Sequence, residues 1–476
     1  MIKRLIHNKL CIKNSALCIL ALLRYASVPL GRAVTFALCI TLCGCSLSRP
    51  YVSTSDVPDN IMGDVTVAGD TVSLGAIGWR EMFTDTLLQQ LISRALENNT
   101  DLRSAQHTIE QAQNDLSVAQ KGWYPTLSFE PTGALRHFNH ATTYPYLIPL
   151  TASWQVGIFG QVTTKKRLAK AQREYYVDYK KAVQTDLSAQ VACTYYMLVM
   201  LDRKLQILKE TQTVWEQSLE SMRTLYEAGL YQSPAVHQME ASLESVRIGI
   251  LELQEDIITT ESALCLLLSE PPHHIQRSPY GTFHVPKQLH VGIPLRLLSA
   301  RPDVRQAERA MEIAFYNTQQ ARQNFYPDIT ITGTLGWSND DGLVNPSKLL
   351  AGAVASIVQP LFMQGKLRAQ YKNRQIDQEK ASLQFTQTLL NAGNEIYTHL
   401  HTCIKSEEQI KHYAIMINAL QQAYDATLEL MNNGTNTYLE VLKAQEDLLS
   451  GQLSEVENTN DEIQAFINLY TALGGF

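Results

Sequence analysis

Between Val162 and Glu227 the chain contains no proline. Within that stretch Leu187, Val191, Leu198, Leu201, Leu205 and Leu208 recur at spacings of three, four and seven residues, which is the pattern of a coiled-coil seam. A single helix of that length extends roughly 100 Å at 1.5 Å per residue. A second stretch, Lys366 to Met431, carries Ile410, Tyr413, Ile417, Leu420 and Tyr424 at the same kind of spacing. Helices several times longer than those of ordinary globular domains need packing partners along their length. Those partners come from the same chain or from neighbouring subunits, and an elongated molecule is expected.

The two stretches belong to a duplication in which halves of about 200 residues follow the same order of signals. In the first half, Leu87 to Gly122 reads as a helix, an alternating segment opens at Trp123-Tyr124-Pro125-Thr126-Leu127-Ser128-Phe129, and a second closes at Trp154-Gln155-Val156-Gly157-Ile158-Phe159-Gly160. In the second half, Arg301 to Asn324 reads as a helix, Phe325-Tyr326-Pro327-Asp328-Ile329-Thr330-Ile331 opens an alternating segment, and Val358-Gln359-Pro360-Leu361-Phe362 closes another. Each long helix ends at a turn signal, Tyr226-Glu227-Ala228-Gly229-Leu230 in one half and Met431-Asn432-Asn433-Gly434-Thr435 in the other.

The alternating segments have the period of strands. Leu127, Phe129, Pro131, Gly133 and Leu135 fall on one face, with Thr126, Ser128, Glu130, Thr132 and Ala134 on the other. Leu150, Ala152, Trp154, Val156 and Ile158 alternate with Thr151, Ser153, Gln155 and Gly157, and Ile329, Ile331, Gly333, Leu335 and Trp337 alternate with polar or small residues. Ala351 to Leu361 supplies a fourth, less polar strand. A length of about ten residues with aromatic residues near the ends suits a tilted transmembrane strand. Four strands cannot close a barrel alone, and lipid tolerates no open sheet edge, so several subunits must close one barrel together. A small soluble sandwich on a helical stalk shows the same alternation and is the alternative reading of these segments.

No stretch of the body reaches the roughly 18 to 20 consecutive apolar residues that a spanning helix needs. The N-terminus carries Lys3, Arg4, Lys9, Lys13, Arg24 and Arg32 with no acidic residue, followed by an apolar run from Ala33 to Cys43. It reads as an export signal over residues 1–44. Leu42-Cys43-Gly44-Cys45 has the form of a bacterial lipobox, with Cys45 as the thiol that receives diacylglycerol and an N-acyl chain. By resemblance to bacterial lipoproteins, Ser46 at the position where an Asp would favour inner-membrane retention points to the outer membrane. Without residues 1–44, 34 basic residues face 46 acidic ones, a net charge of −12, so nucleic acid is not an expected partner. Beyond Cys45 only Cys193, Cys265 and Cys403 remain, widely separated, and no disulfide framework is indicated.

From about residue 45 to the C-terminus the chain resembles the TolC-like outer-membrane factor family, especially its lipoprotein, NodT/OprM-like branch of RND-type efflux channels. The resemblance is carried by Ile77-Gly78-Trp79-Arg80-Glu81-Met82-Phe83, Ala95-Leu96-Glu97-Asn98-Asn99 with Asp101-Leu102-Arg103, and Leu297-Leu298 with Arg301-Pro302-Asp303-Val304 and Ala307-Glu308. The ending Leu469-Tyr470-Thr471-Ala472-Leu473-Gly474-Gly475 carries it further. It implies a mixed, mainly α fold: duplicated strand-helix halves that form a trimeric, twelve-stranded transmembrane β-barrel continued by a long periplasmic α-helical coiled-coil barrel. On that reading residues 45–84 lead from the lipid anchor to an equatorial region, 85–269 form the first efflux repeat, 270–300 an equatorial linker and 301–476 the second repeat, with 46–80 and 270–300 supplying a girdle. It also implies a passive conduit in a bacterial outer membrane, served by a periplasmic adaptor and an inner-membrane pump of RND type. The outlet of a type I protein-secretion system, or a purely structural periplasmic coiled-coil lipoprotein, are the alternatives.

The resemblance further implies a closed periplasmic end at the hairpin tips, where side chains control a constriction. In Tyr438-Leu439-Glu440-Val441-Leu442-Lys443, Leu439 matches the apolar constriction, but Lys443 stands where an Asp is usual. Glu440 could supply a carboxylate instead, and His237 falls near the position of a basic partner. Gly229 and Gly434 would relax the backbone at the turns, with Leu230 and Thr435 facing an adaptor; an exposed hairpin end with ordinary charges and a turn-only role is the plainer alternative. The sequence contains no phosphate loop, nucleophile elbow or paired metal motif, so no enzyme activity, metal or cofactor beyond the lipid on Cys45 is expected. His399, His401 and Cys403 do not share one helix face, and His273-His274 lies in a proline-flanked loop; both groups read as structural filling.

Overall fold

The computed structural model describes residues 48–52, 77–138, 141–229, 232–283, 285–286, 301–339, 349–432 and 438–475. In chain order the elements are α1 (Trp79–Met82), α2 (Thr86–Asn98), α3 (Thr100–Lys121), β1 (Thr126–Phe129), β2 (Thr132–Gly133), β3 (Arg136–Phe138), β4 (Ala141–Thr143), β5 (Tyr146–Gln155), α4 (Gln161–Glu227) and α5 (Ser233–Leu267). They continue with α6 (Pro302–Gln323), β6 (Asp328–Asn339), β7 (Leu349–Val358), α7 (Lys366–Asn432) and α8 (Tyr438–Ala472). The duplication is metric as well as ordinal: α3 and α6 each have 22 residues, α4 and α7 each 67, α5 and α8 each 35.

The described residues fall into two units, one holding 48–52 and those within 116–169 and 314–376, the other the remainder. In the first unit the strands of both halves join one antiparallel sheet in the order β1-β5-β6-β7, with β2 also on β5. Cross-strand partners share a face, and the register sorts the residues by polarity. Leu127, Ala152, Gly333 and Ala353 form one row, Phe129, Leu150, Leu335 and Ala351 another, and Trp154, Ile331 and Ala355 a third. The opposite face carries Ser128, Thr151, Thr334 and Gly352, then Thr126, Ser153, Thr332 and Val354, then Gln155, Thr330 and Ser356. Pro149 sits inside the central strand β5, where it offers no N–H to the ladder. Its partner is Gly336, at which an added Cβ would lie 2.1 Å from the Ile148 carbonyl oxygen, so only glycine fits there.

Several boundaries differ from the sequence expectation for physical reasons. The first strand does not run on to Leu135: Glu130-Pro131 interrupts it between β1 and β2, because proline removes a ladder donor. A short β3-β4 hairpin follows that the alternation did not foretell. β5 begins at Tyr146 and ends at Gln155, before Ile158, and β7 spans Leu349–Val358, stopping ahead of Pro360. The helix expected from Leu87 to Gly122 is two helices. At Asn99 the backbone turns extended (φ −56°, ψ 129°), and its side-chain oxygen accepts from the N–H groups of Asp101 (3.0 Å) and Leu102 (3.1 Å), capping α3. Its amide donates to the Leu267 carbonyl at 3.0 Å, tying the joint to the end of α5.

In the second unit, α1, α2, the middle of α4 and α7, and the ends of α5 and α8 enclose one core with Phe83, Leu88, Ile92, Tyr195, Leu198, Ile396, Phe466 and Tyr470 fully buried. Asp85 caps α2 by accepting from Leu87 N (2.9 Å) and also accepts from the Tyr195 hydroxyl at 2.6 Å. The 270–283 segment, part of the expected girdle, packs on this core through Ile275 and Phe283. Arg277 fastens it, pairing with Asp202 of α4 and Glu261 of α5. The seam of α4 is buried as expected at Leu187, Val191, Leu198, Leu201 and Leu208, whereas Ile410, Tyr413, Ile417, Leu420 and Tyr424 of α7 are half-buried within one chain. Leu420 lies against Gly451 of α8, where an added Cβ would come within 3.0 Å of it.

Phe466 has no exposed surface and faces Phe283 at 6.0 Å between ring centres. We expect Phe466→Ala to destabilise this core by about 3–5 kcal/mol, seen as lost hydrogen-exchange protection at the end of α8 and across residues 275–283.

Candidate functional site

The hairpin ends are built by the C-termini of α4 and α7 and the N-termini of α5 and α8 in the second unit. α4 closes at Gly229, whose N–H donates to the Tyr226 carbonyl at 2.9 Å and whose φ of +75° lies in the left-handed region that glycine adopts without strain. α5 then starts with Pro234 in its first turn, where no intrahelical N–H is needed. Between the helices lies a cluster formed by Trp215, Leu219 and Met222 of α4, Val236, Met239 and Leu243 of α5, and Tyr438 and Leu442 of α8. The Tyr438 hydroxyl contacts the Met239 sulfur.

With those positions inside, the helical period turns the residues between them outward. His237 and Glu240 stand on the exposed face of α5, and Leu439, Glu440 and Lys443 on that of α8. Leu439 is 65 % exposed at the first turn of its helix while its neighbours Tyr438, Val441 and Leu442 are buried. An apolar side chain held outside a satisfied core is available to a neighbouring subunit or to the lumen of an assembly.

The charges pair within the chain. Glu240 accepts from Arg223 of α4 at 2.8 Å and lies 3.2 Å from His237 Nδ1, forming a bridge from one arm of the hairpin to the other. Lys443 pairs with Asp447 one turn along α8 at 2.5 Å, and Ser242 of α5 donates to Glu446 of α8 at 3.4 Å. The structure therefore brings His237 to Glu240 but joins Lys443 to an acid on its own helix. Arg223, Glu240 and Asp447 were not singled out from sequence as tip partners, although the i,i+3 spacing of His237 and Glu240 and the i,i+4 spacing of Lys443 and Asp447 were there to find. Arg223 meets Glu240 only because the hairpin folds back. Leu230, Gly434 and Thr435 at the tips, and Cys45 at the N-terminus, lie outside the described residues.

The other singled-out groups are turned to separate partners. His401 packs on Tyr397 with ring centres 4.4 Å apart, and the Cys403 thiol is buried and pushed up to about 12 by desolvation. His273 lies 3.5 Å from the Cys265 sulfur, His274 2.8 Å from Glu261. Among the described residues no three His, Cys, Asp or Glu gather into a group able to hold a metal ion. Near the sheet, the chain just past Cys45 is pinned: Arg167 of α4 donates to the Ser48 carbonyl and hydroxyl at 3.0 Å each, and Tyr51 packs edge-on to Phe315 at 5.6 Å.

Residues 91–270 and 293–475 match the profile of the outer membrane efflux proteins, one segment for each half of the duplication. The cation efflux system protein CusC of Escherichia coli O6:H1 is 28 % identical over 458 residues, spanning 93 % of this chain and 98 % of its own. The probable outer membrane lipoprotein SilC of Salmonella typhimurium is 27 % identical across 84 % of this chain and 88 % of its own. A crystal structure of CusC superposes with a TM-score of 0.80 at 26 % identity, covering 90 % of this chain and all of that one.

Hydrogen bonds from Arg223, then from His237, hold the Glu240 carboxyl below the usual carboxylate range. A depressed pKa means that the bridge is fully present above the ordinary glutamate value of about 4.3 and is lost as pH falls through the folded value. In Arg223→Ala the protonation of Glu240 moves up toward that ordinary value, so hydrogen-exchange protection of the α4 and α5 ends should begin to fall at a higher pH than in the wild type.

Proposed function

This chain belongs to the outer membrane efflux protein family, and we propose that three copies of it form one gated, passive duct. It is an outer-membrane channel component of an efflux system. The observation that carries the duct is the sheet. One face is a continuous apolar surface, with Leu127, Phe129, Leu335, Trp337, Leu349 and Ile357 exposed, and the other carries threonine and serine on β1, β5 and β6, with Val354, Ser356 and Val358 on β7. β7 is exposed at all ten of its positions. An apolar face with no cover suits lipid, and a hydroxyl-lined face suits a water-filled lumen. Because β1 runs antiparallel to β5, β5 to β6 and β6 to β7, β7 of one copy can pair antiparallel with β1 of the next, and three copies close twelve strands without an edge.

The long helices α4 and α7 of the three copies then wall a periplasmic tunnel, with the half-buried seam of α7 completed by a neighbour. Energy comes from an inner-membrane pump of RND type, and a periplasmic adaptor docks at the hairpin tips around Gly229, Leu230, Gly434 and Thr435. Leu439 forms the apolar ring of the closed end. Lys443 and Asp447 form a paired charge ring behind it, in place of a ring of bare acids. Diacylglycerol and an N-acyl chain on Cys45 anchor the mature chain, and Ser48 and Tyr51, a few residues on, are held against α4 and α6. No residue in this reading has a catalytic task.

In planar bilayers the purified protein, cross-linked to count subunits, should run as a trimer and conduct weakly. Leu439→Ala and Lys443→Ala should each enlarge the single-channel conductance. Trimers of both variants that conduct as the wild type does would remove the gate from this account, and folded protein that never conducts would remove the duct. Labelled palmitate should enter the wild type and not Cys45→Ala.

A further inference from the structure

One end of the sheet is cationic in a chain that is otherwise acidic. Antiparallel pairing brings the start of β1, the end of β5, the start of β6 and the end of β7 together there, and α3, α4, α6 and α7 join the strands through short connections. Among the described residues of this unit Lys and Arg outnumber Asp and Glu by eleven to two. Over residues 45–476 the balance is reversed, with 46 acids against 34 bases.

Six of these cations are exposed at the joints: Lys121 at the end of α3, Lys165 and Lys166 in the second turn of α4, and Lys366, Arg368 and Lys372 in the first two turns of α7. The unit's two described acids are engaged or placed elsewhere. Asp328 accepts from the Gln155 amide at 2.8 and 2.7 Å, and Glu130 follows the far end of β1. Cations at the start of a helix oppose its dipole, and neither α4 nor α7 has an acid in its first turn. A neighbouring copy brings its own Lys and Arg to the same level, since strands of a closed wall pair side by side. The counter-charge therefore has to come from outside the protein.

Exposed apolar and aromatic side chains border the cations. Leu361 and Phe362, between β7 and α7, are 91 % and 85 % exposed, and Trp123 and Tyr124, between α3 and β1, 48 % and 72 %. The Trp123 carbonyl accepts from Nε1 of Trp154 at 3.0 Å, and Trp154 lies in the apolar row with Ile331 and Ala355. The aromatic pair thus edges the apolar face of the sheet, and Lys121 stands two residues before it. Apolar face, aromatic edge and then cations is the order of side chains at a membrane–water interface. Lys366 to Lys372 spans about 9 Å of helix, comparable with a headgroup layer roughly 5–8 Å deep and with the roughly 8 Å reach of its charge in physiological salt. Arg167 of α4 also holds Ser48 at this level, so at most about 11 Å of chain separates Arg167's partner from the cysteine read above as lipid-bearing.

Resting on the reading of the sheet as a sector of a barrel in lipid, we propose that these cations form a binding surface for anionic phospholipid headgroups in the leaflet that faces the helices. The phosphate supplies the missing counter-charge, as a point-charge partner for lysine and a forked one for arginine. A zwitterionic headgroup carries its own cation beside the phosphate and gains less.

The test is electron spin resonance of the full mature protein in phosphatidylcholine bilayers, with trace spin-labelled phosphatidylglycerol or phosphatidylcholine reporting the lipid immobilised at the protein. The expected association constant is at least about threefold higher for phosphatidylglycerol, falling toward equality in 1 M salt, where the screening length is about 3 Å. Lys366→Glu, Arg368→Glu and Lys372→Glu combined should abolish the preference and keep the immobilised phosphatidylcholine. Acids suit the start of a helix, and circular dichroism checks the fold. Lys165→Gln with Lys166→Gln should lower the preference, while Lys405→Glu with Lys411→Glu, exposed further along α7, should leave it unchanged. An immobilised shell with equal affinity for both lipids, as cations facing the lumen would give, overturns the proposal and leaves the barrel in place. A preference that survives in the folded triple variant overturns it too. No immobilised lipid of either kind removes the barrel itself, and the surface with it.

Discussion

The constraint on which the rest depends is the hydrogen-bonding demand of a sheet edge. Each strand carries a row of backbone N–H and C=O groups, and in a bilayer nothing but another strand can satisfy them. In this chain β5 and β6 satisfy each other over ten residue pairs, while among the described residues β1 and β7 each have a sheet neighbour on one side only. The same sheet is apolar on one face and hydroxyl-rich across β1, β5 and β6 on the other, which suits lipid on one side and water on the other. A sheet with those two faces and two complementary open edges is a sector of a closed wall. Assembly is therefore a condition of the fold in its membrane.

The duplication makes that sector possible. Matched lengths of 22, 67 and 35 residues in the two halves deliver two similar strand pairs, joined along the β5-β6 ladder, and two similar helical hairpins. Their environments within one chain are not equal: the α4 seam is buried by intrachain partners, while the α7 seam is only half-buried. That asymmetry is what a subunit interface along α7 predicts. At the hairpin ends the buried cluster around Met239 and Tyr438 fixes the helix faces, and through them decides that Leu439 and Lys443 stand outside. The position of the candidate gate is thus a consequence of core packing.

Much of this was legible in the residues because the signals were long or periodic. A proline-free run with a heptad seam predicts α4 to within a residue of its ends, and strict alternation predicts β6 from its first residue, Asp328. Legibility failed where a single residue redirects the chain. Asn99 breaks a continuous helical pattern because its side chain caps α3 while holding the end of α5, and that partner is 168 residues away. Glu130-Pro131 splits an alternating run that looked continuous. At the candidate site the outward residues could be placed from helical period, but the Arg223–Glu240 bridge depends on the hairpin closing.

The central claim, that the sheet of one copy continues into the sheet of the next, is tested most directly by disulfide cross-linking in outer membranes. A cysteine at Leu127 in β1 is combined in turn with a single cysteine at each position from Leu349 to Val358 in β7, in a background lacking Cys193, Cys265 and Cys403. The account predicts covalent dimers and trimers under non-reducing conditions, confined to a few β7 positions on the face that Leu127 shares. Well-folded protein that stays monomeric at every position, or that cross-links equally at all of them, would contradict it.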